Sequence, residues 1–522
     1  MPGIRLQVYT RHNTTMKRLI FILLILPLGL NAQNMYNVTS LFGNDLVGTA
    51  RFVGMGGAMS ALGADLSTMN TNPAGMAVYR SNDASLTGGL LFNTYKSIYG
   101  GCEASVSNTN AGISNAAFVL STKRDEEGLL FLNFGFGYHR RNNLSAVFEM
   151  FGAADGYSQQ FTIDHIYKSY LTPFDYNDIK SSMYRDFSYS WLPLMAANAV
   201  LYDDAGNFIT DPNAELLWLP DELGYYEMTT GGVNTLDFNM SANFGDRLYL
   251  GATVAVSVVD YTKYSEYRET DALGDIYILE NNRYITGTGY DLKLGAIYRP
   301  FQYSPFKIGF SLHTPTKFTL REYSSATISN PYYNYSCSTT DSELYGQMLY
   351  VNTALKTPWR FGASMAYTFG TLLALDAEYE YSDYATSAFI GRTDIVKAQN
   401  EEIGYNMKAQ HTLRIGAELN MPEFAVRAGY NYMTAPFAKD AYKEMYNASV
   451  AETSTEYMNR FGKSVMTLGL GGKETLYYWD LAYMLEHQKS EFYPFFDYDA
   501  PNPGATVRNV RHSIVATLGM RF

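Results

Sequence analysis

The 522 residues predict an all-β fold: a fourteen-stranded antiparallel transmembrane β-barrel with a small N-terminal plug in its lumen. Two observations lead there. Apolar and polar residues alternate with a period of two in many segments, as strands with one apolar and one polar face require. The composition of 43 Gly, 45 Tyr and 30 Phe with only 17% charged residues suits amphipathic strands with aromatic belts.

The N-terminal end reads as an export signal. Lys17-Arg18 supplies the positive region, Leu19 to Leu30 is apolar, and Leu30-Asn31-Ala32 suits cleavage, so residues 1–32 are expected to be removed. Met16 is read as the true start, with a genuinely longer leader as the alternative. The apolar run falls short of the ~20 residues of a spanning helix.

Residues 33–82 differ in character and are read as the plug. Ala, Gly and Ser dominate from Thr49 to Asp65, so a short helix and tight turns fit a narrow lumen. In Asn72-Pro73-Ala74-Gly75, the proline fixes a rigid corner and biases Asn72 towards extended backbone. The Asn72 side chain suits capping that turn.

The barrel is expected over 83–522, with strands at 83–95, 112–122, 128–151, 233–244, 248–268, 281–299, 306–322, 356–369, 372–384, 407–420, 424–437, 463–472, 475–490 and 508–522. Leu248, Leu250, Val254 and Val258 share one face of a strand; Tyr290, Leu292 and Leu294 oppose Asp291 and Lys293 in the next. Ile514, Ala516, Leu518, Met520 and Phe522 line one face of the last. Apolar faces towards lipid and charges towards a wet or plugged lumen account for this pattern. Short connections alternate with long ones, and the long set is 96–111, 152–232, 269–280, 323–355, 385–406, 438–462 and 491–507. His139 to Asn143 would also suit a turn; one strand over 128–151 keeps the alternation.

A net charge of −12 offers no basic surface for nucleic acid. Two cysteines and 7 scattered His give no metal-ligand spacing, so no metal, cofactor or catalytic residue is assigned. Asp376, Glu378, Glu380 and Arg427 are read as solvated or plug-paired lumen charges, not as a paired-carboxylate site. Cys102 and Cys337 both fall in expected external loops, which leaves a disulfide between them open. Within the external loop 152–232, Trp191, Leu192, Leu194, Met195, Leu217 and Trp218 form apolar stretches. They suit either an exposed capture surface for a lipid-like ligand or a lid packed on the rim. Pro315 marks either a kink in the wall or the end of a strand.

The Gly-rich stretch from Thr49 to Asp65 followed by Asn72-Pro73-Ala74-Gly75, and the strands Gly287–Pro300 and Lys307–Thr316, resemble the FadL/TodX family of outer-membrane transporters. The resemblance implies a hatch built on Asn72, Pro73 and Ala74, and passive uptake of a fatty-acid-like or aromatic molecule with lateral exit into the bilayer. It implies an outer-membrane location, with a hydrophobic ligand and membrane lipids as partners. The strand ending in Phe522 resembles the signal read by the outer-membrane assembly machinery. Two other readings stay open: an accessory barrel docking a protein partner in type IX secretion, and a surface receptor or adhesin.

Overall fold

The computed structural model describes residues 34–36, 41, 43, 45–124, 128–170, 181–182, 190–199, 219–331, 334–340, 349–443, 445, 451–474, 476–497 and 504–522. The signal segment 1–32, with Met16, lies outside them, as do Leu217 and Trp218.

From Asp83 onward the alternation produces one antiparallel sheet of nineteen segments. The first seven are β1 (Asp83–Tyr99), β2 (Cys102–Lys123), β3 (Leu129–Asn143), β4 (Ala146–Ala153), β5 (Glu222–Phe244), β6 (Leu248–Asp271) and β7 (Gly274–Tyr298). Next come β8 (Lys307–His313), β9 (Lys317–Asn330), β10 (Tyr335–Ser338), β11 (Leu349–Lys356), β12 (Arg360–Phe369), β13 (Leu373–Asp383) and β14 (Ala388–Phe389). The chain closes with β15 (Ala409–Asn420), β16 (Phe424–Met433), β17 (Tyr457–Lys473), β18 (Tyr477–Tyr493) and β19 (Ala505–Arg521).

Several segments share a wall position. β3 and β4 both run along β5, and β8 and β9 both run along β7. β12 and β11 follow β8 and β9, while β13 and β14 follow β12 and β11. β10 is only a short return against β9. The wall therefore has fourteen positions, and it closes where β1 pairs with β19 from Asp83↔Arg521 to Ile98↔Thr506. Closure removes both sheet edges, which a strand-built structure in lipid needs.

Burial follows the alternation. Leu518 is 71% exposed on the outer face while its neighbour Thr517 is 1% exposed inside. Leu250, Val254, Leu292, Leu294, Leu413 and Ile415 are likewise exposed, and Lys293, Asp376, Arg414 and Arg427 are buried in the lumen. This inside-out distribution makes the chain a transmembrane barrel of the outer-membrane type.

Three expected long loops are corrected, one of them 323–355, whose described residues fall mostly in β9, β10 and β11. Residues 96–111 and 269–280 belong mostly to strands, and Gly100-Gly101 and Ala272-Leu273 make the tight turns. Apart from Ile98, the outward residues of 96–107 are polar, such as Lys96, Glu103, Ser105 and Ser107, so the apolar face thins out before the strand ends. β6 and β7 have 24 and 25 residues, far more than the ~9–11 that cross a bilayer, so their ends stand above it. Similarly β5 starts at Glu222, which shortens the excursion expected over 152–232.

Candidate functional site

Residues 45–82 lie inside the barrel and touch its wall on opposite sides. Thr49 caps α1 (Ala50–Gly54) through its hydroxyl, which accepts from the Phe52 N–H and donates to Asp65. After α2 (Thr68–Thr71), Asn72 caps the 3₁₀ turn Pro73–Val78, accepting from the Ala74 N–H at 3.2 Å. The Asn72 amide donates to the Ser60 carbonyl at 2.8 Å and so ties the turn back onto the preceding loop. Gly75 continues the same tie by accepting from the Ala64 N–H. All four residues from Asn72 to Gly75 are buried.

The wall makes room with inward-facing glycines. A Cβ on Gly295 of β7 would sit 2.1 Å from the Asn72 side-chain oxygen, and one on Gly251 of β6 would sit 2.4 Å from Pro73. Gly416 and Gly429 admit the Met55–Gly56 turn in the same way, with Gly56 at φ +65°. These wall glycines are absent from the sequence expectations.

Ion pairs anchor the other end of the segment. Arg51 binds Glu418 through two nitrogens, and Glu418 also accepts from Arg427, which reaches Asp480. Burial alone would lower the Arg51 pKa, but Glu418 outweighs it and raises it. Asp376 accepts from the Ala61 and Leu62 N–H groups, while Glu378 and Glu380 both pair with Arg414. The lumen carboxylates thus face cations or backbone donors. Among the described residues, no group of three or more His, Cys, Asp or Glu could hold a metal ion. Cys102 opens β2 and Cys337 sits buried in β10, and no disulfide joins them.

The expectation of an exposed capture surface is corrected. Trp191, Leu192, Leu194 and Met195 lie in α4 (Trp191–Asn198), each no more than 1% exposed. They pack against Phe148, Tyr225, Tyr277, Ile328 and Phe492 in a core at the long-loop end. An apolar helix beside an apolar rim loses less water-exposed surface by any other arrangement, so burial wins. The neighbouring α3 (Gln159–Tyr170) is fixed by Glu269, which accepts from the Ser158 hydroxyl and the Gln159 N–H.

Below that roof lies a cavity of about 160 Å³. Tyr95, Phe148, Tyr261, Phe437 and Met458 give it an apolar side; Asp45, Arg460, Lys463, Glu486 and Arg511 give it a charged one. Lys463 and Arg511 each reach both Asp45 and Glu486. Burial would raise the Asp45 carboxyl, but Arg511, Lys463 and the Asn143 N–H together hold it below the usual range. Arg460 makes no ion pair among the described residues.

Beside the cavity the wall changes. β2 pairs with β3 only from Lys123↔Phe131 to Asn115↔His139. From Cys102 to Ser114, β2 keeps β1 as its one ladder partner. The cause is a bend in the neighbouring position. A register shift between Arg140 and Asn142 is followed by the break at Leu144-Ser145, where Ser145 N–H turns back onto the Asn143 side chain. β4 then packs inwards, its Glu149 carbonyl accepting from Ser97 of β1. Gly231 of β5, at φ +95°, accepts from Leu144 N–H at the bend. Side chains alone cross the unpaired stretch, Asn143 donating to Asn110 at 3.2 Å and Asn108 to the Ser145 carbonyl at 3.3 Å. Leu90 and Leu91 pair with Ala111 and Asn110, and Leu90 and Phe92 face outwards, so the lower end of the stretch, around Asn110 to Ser114, lies at the apolar band. A second cavity of about 70 Å³ opens there between Leu46, Val47, Leu90, Met484 and Val515.

Pro315 behaves otherwise. It interrupts the wall between β8 and β9, but the gap is bridged on both sides. Thr314 N–H donates to Leu292 on one side, and Thr316 and Thr357 exchange bonds at 2.9 and 3.1 Å on the other. Pro315 thus leaves no unpaired ladder stretch beside it, and the unpaired stretch lies at β2 and β3. Phe522, 56% exposed, exchanges both backbone bonds with Asn82 at the short-turn end.

No protein-family model and no curated protein matches the chain's sequence. Solved structures do match. A FadL homologue from Pseudomonas aeruginosa is similar at 12% identity and a TM-score of 0.51, over 91% of this chain and 98% of that one. The Pseudomonas putida toluene transporter TodX is similar at 12% identity and a TM-score of 0.51, over 92% of this chain and 99% of that one. A deletion mutant of TodX, a monoaromatic hydrocarbon channel, gives 13% identity and a TM-score of 0.51, over 92% and 100%. At this identity the likeness establishes a shared fold: this chain has the FadL/TodX-like barrel architecture.

Proposed function

We propose that the protein takes up a hydrophobic small molecule across the outer membrane, passively, and releases it sideways into the bilayer. The observation that carries the reading is the unpaired stretch of β2 at the apolar band, adjoining an interior cavity under a buried roof. The segment 45–82 acts as the plug that closes the route straight through, with Asn72–Gly75 as its rigid centre. A greasy ligand leaving sideways keeps its apolar contacts, which an aqueous exit would cost it. The similarity to a toluene transporter and a FadL homologue favours the same class of cargo, acyl or aromatic. Arg460 beside the cavity's aromatic side suits a cargo with an acidic head. Trp191, Leu192, Leu194 and Met195 act here as a lid, and ligand entry requires the roof to open.

Native mass spectrometry on the protein purified in mild detergent, followed by solvent extraction, tests this. A stoichiometric hydrophobic molecule that is lost when Asn72, Pro73 and Ala74 are replaced is the expected result. A barrel that is empty and instead retains a protein partner would overturn it in favour of a docking role.

A further inference from the structure

The two cavities share three lining residues, Asp45, Asn143 and Arg511. Whatever separates the interior from the wall opening is built from them. Asp45 stands at the centre of that partition. Its N–H donates to the Arg141 carbonyl at 3.3 Å, and its carboxylate accepts from the Asn143 N–H at 3.2 Å. These are the β3 backbone groups just past the last β2–β3 pair, so Asp45 takes bonding positions that β2 has left. The same carboxylate reaches Arg511 of β19 at 3.3 Å and Lys463 of β17 at 3.5 Å.

We propose that Asp45 is a latch between the interior cavity and the wall opening, a positioning residue that sets how fast an apolar ligand passes from one to the other. The inference rests on the lateral-exit reading above. Its contacts tie the stretch before α1 to three wall positions at once, and Leu46 and Val47 behind it line the opening itself. Release is feasible because Glu486 lies within ion-pair distance of both cations, at 3.5 and 3.8 Å. Arg511 and Lys463 therefore keep a carboxylate when Asp45 swings away, so an open state leaves neither cation stranded in the lumen. Two arrangements of one small network, both leaving the cations paired, are what a gate needs.

The test measures uptake of N-phenylnaphthylamine, an apolar aromatic amine, by intact cells carrying the full barrel in the outer membrane. All variants are made in a Cys102→Ser, Cys337→Ser background. Asp45→Asn and Asp45→Ala remove the charged contacts and are expected to speed uptake about fivefold. Asp45→Cys with Asn143→Cys, once oxidised, is expected to abolish uptake until a reductant restores it. Heat-modifiable mobility on gels checks that each variant is assembled, and a purely structural role predicts slower or unchanged uptake in all of them. If the parent takes up the probe but neutral variants and the oxidised pair leave the rate unchanged, the latch is wrong. If the parent takes it up no faster than cells lacking the barrel, the transport reading itself fails, whatever Asp45 does.

Discussion

The wall is interrupted at Leu144-Ser145 and again at Thr314–Thr316, and only the first interruption leaves a strand unpaired. At Thr314–Thr316 the partner β7 runs straight past, and Thr357 interrupts the other neighbour at the same level, so two threonines restore the missing bonds. At Leu144-Ser145 the chain bends inwards while β2, bulged at Ser114, stays on β1 and does not follow it. A wall opens where one neighbour departs and the other does not. The interruption itself decides little.

The largest effect is expected on the open side. Gly231→Val places a β-branched residue at φ +95°, with its Cβ 2.1 Å from the Asp260 carbonyl. The bend should then be lost or the barrel destabilised by about 3 kcal/mol or more. Reduced heat-resistant barrel on gels, or restored amide protection along Cys102–Ser114, would register it; wild-type behaviour in both would break the contrast. On the bridged side, Thr357→Val removes the hydroxyl that accepts from the Thr316 N–H and should cost about 1–2 kcal/mol in chemical unfolding, with uptake unchanged. Pro315→Ala should matter least, within about 1 kcal/mol, since no ladder bond depends on the ring. A large uptake change in Pro315→Ala would return that site to candidacy.

Acid offers a finer comparison above the cavity. Burial would raise the Glu452 carboxyl, yet Arg283 and Lys443 hold it down at about 2. Its folded pKa lies below its ordinary value of 4.5, so the stability it contributes is complete above pH 4.5 and fades as pH falls towards 2. Proteolysis of the 434–456 connection should therefore stay slow from pH 7 to about 4.5 and rise only below it. Cleavage that already accelerates at pH 6 would contradict the pairing.

Much of this was legible in the residues. Leu248, Leu250 and Val254 alternate with inward Tyr249, Gly251 and Thr253, and such runs suffice to count fourteen wall positions. Strand tops were lost because Lys96, Glu103 and Ser105 make the outer face polar once the chain leaves the apolar band. The sequence leaves the roof open between an exposed surface and a packed lid because Trp191 and Leu192 read alike in both; their partners Phe148, Tyr277 and Phe492 come from distant strands. The plug's position does leave a signal in the sequence: Gly251, Gly295, Gly416 and Gly429 all fall on lumen-facing positions, where the plug backbone comes too close for a side chain. The unpaired stretch could not be read at all, since it depends on which neighbour β2 keeps. Proline drew attention to the bridged site instead.

The most direct test closes each interruption covalently in turn, in the background lacking both native cysteines. One pair is Asn110→Cys with Asn143→Cys, across the unpaired stretch; the other is Thr316→Cys with Thr357→Cys, across the bridged one. Lateral exit beside β2 predicts that oxidising the first pair stops N-phenylnaphthylamine uptake and that oxidising the second leaves it intact. Uptake that survives the first closure, or falls equally with both, would contradict an exit at that stretch of wall.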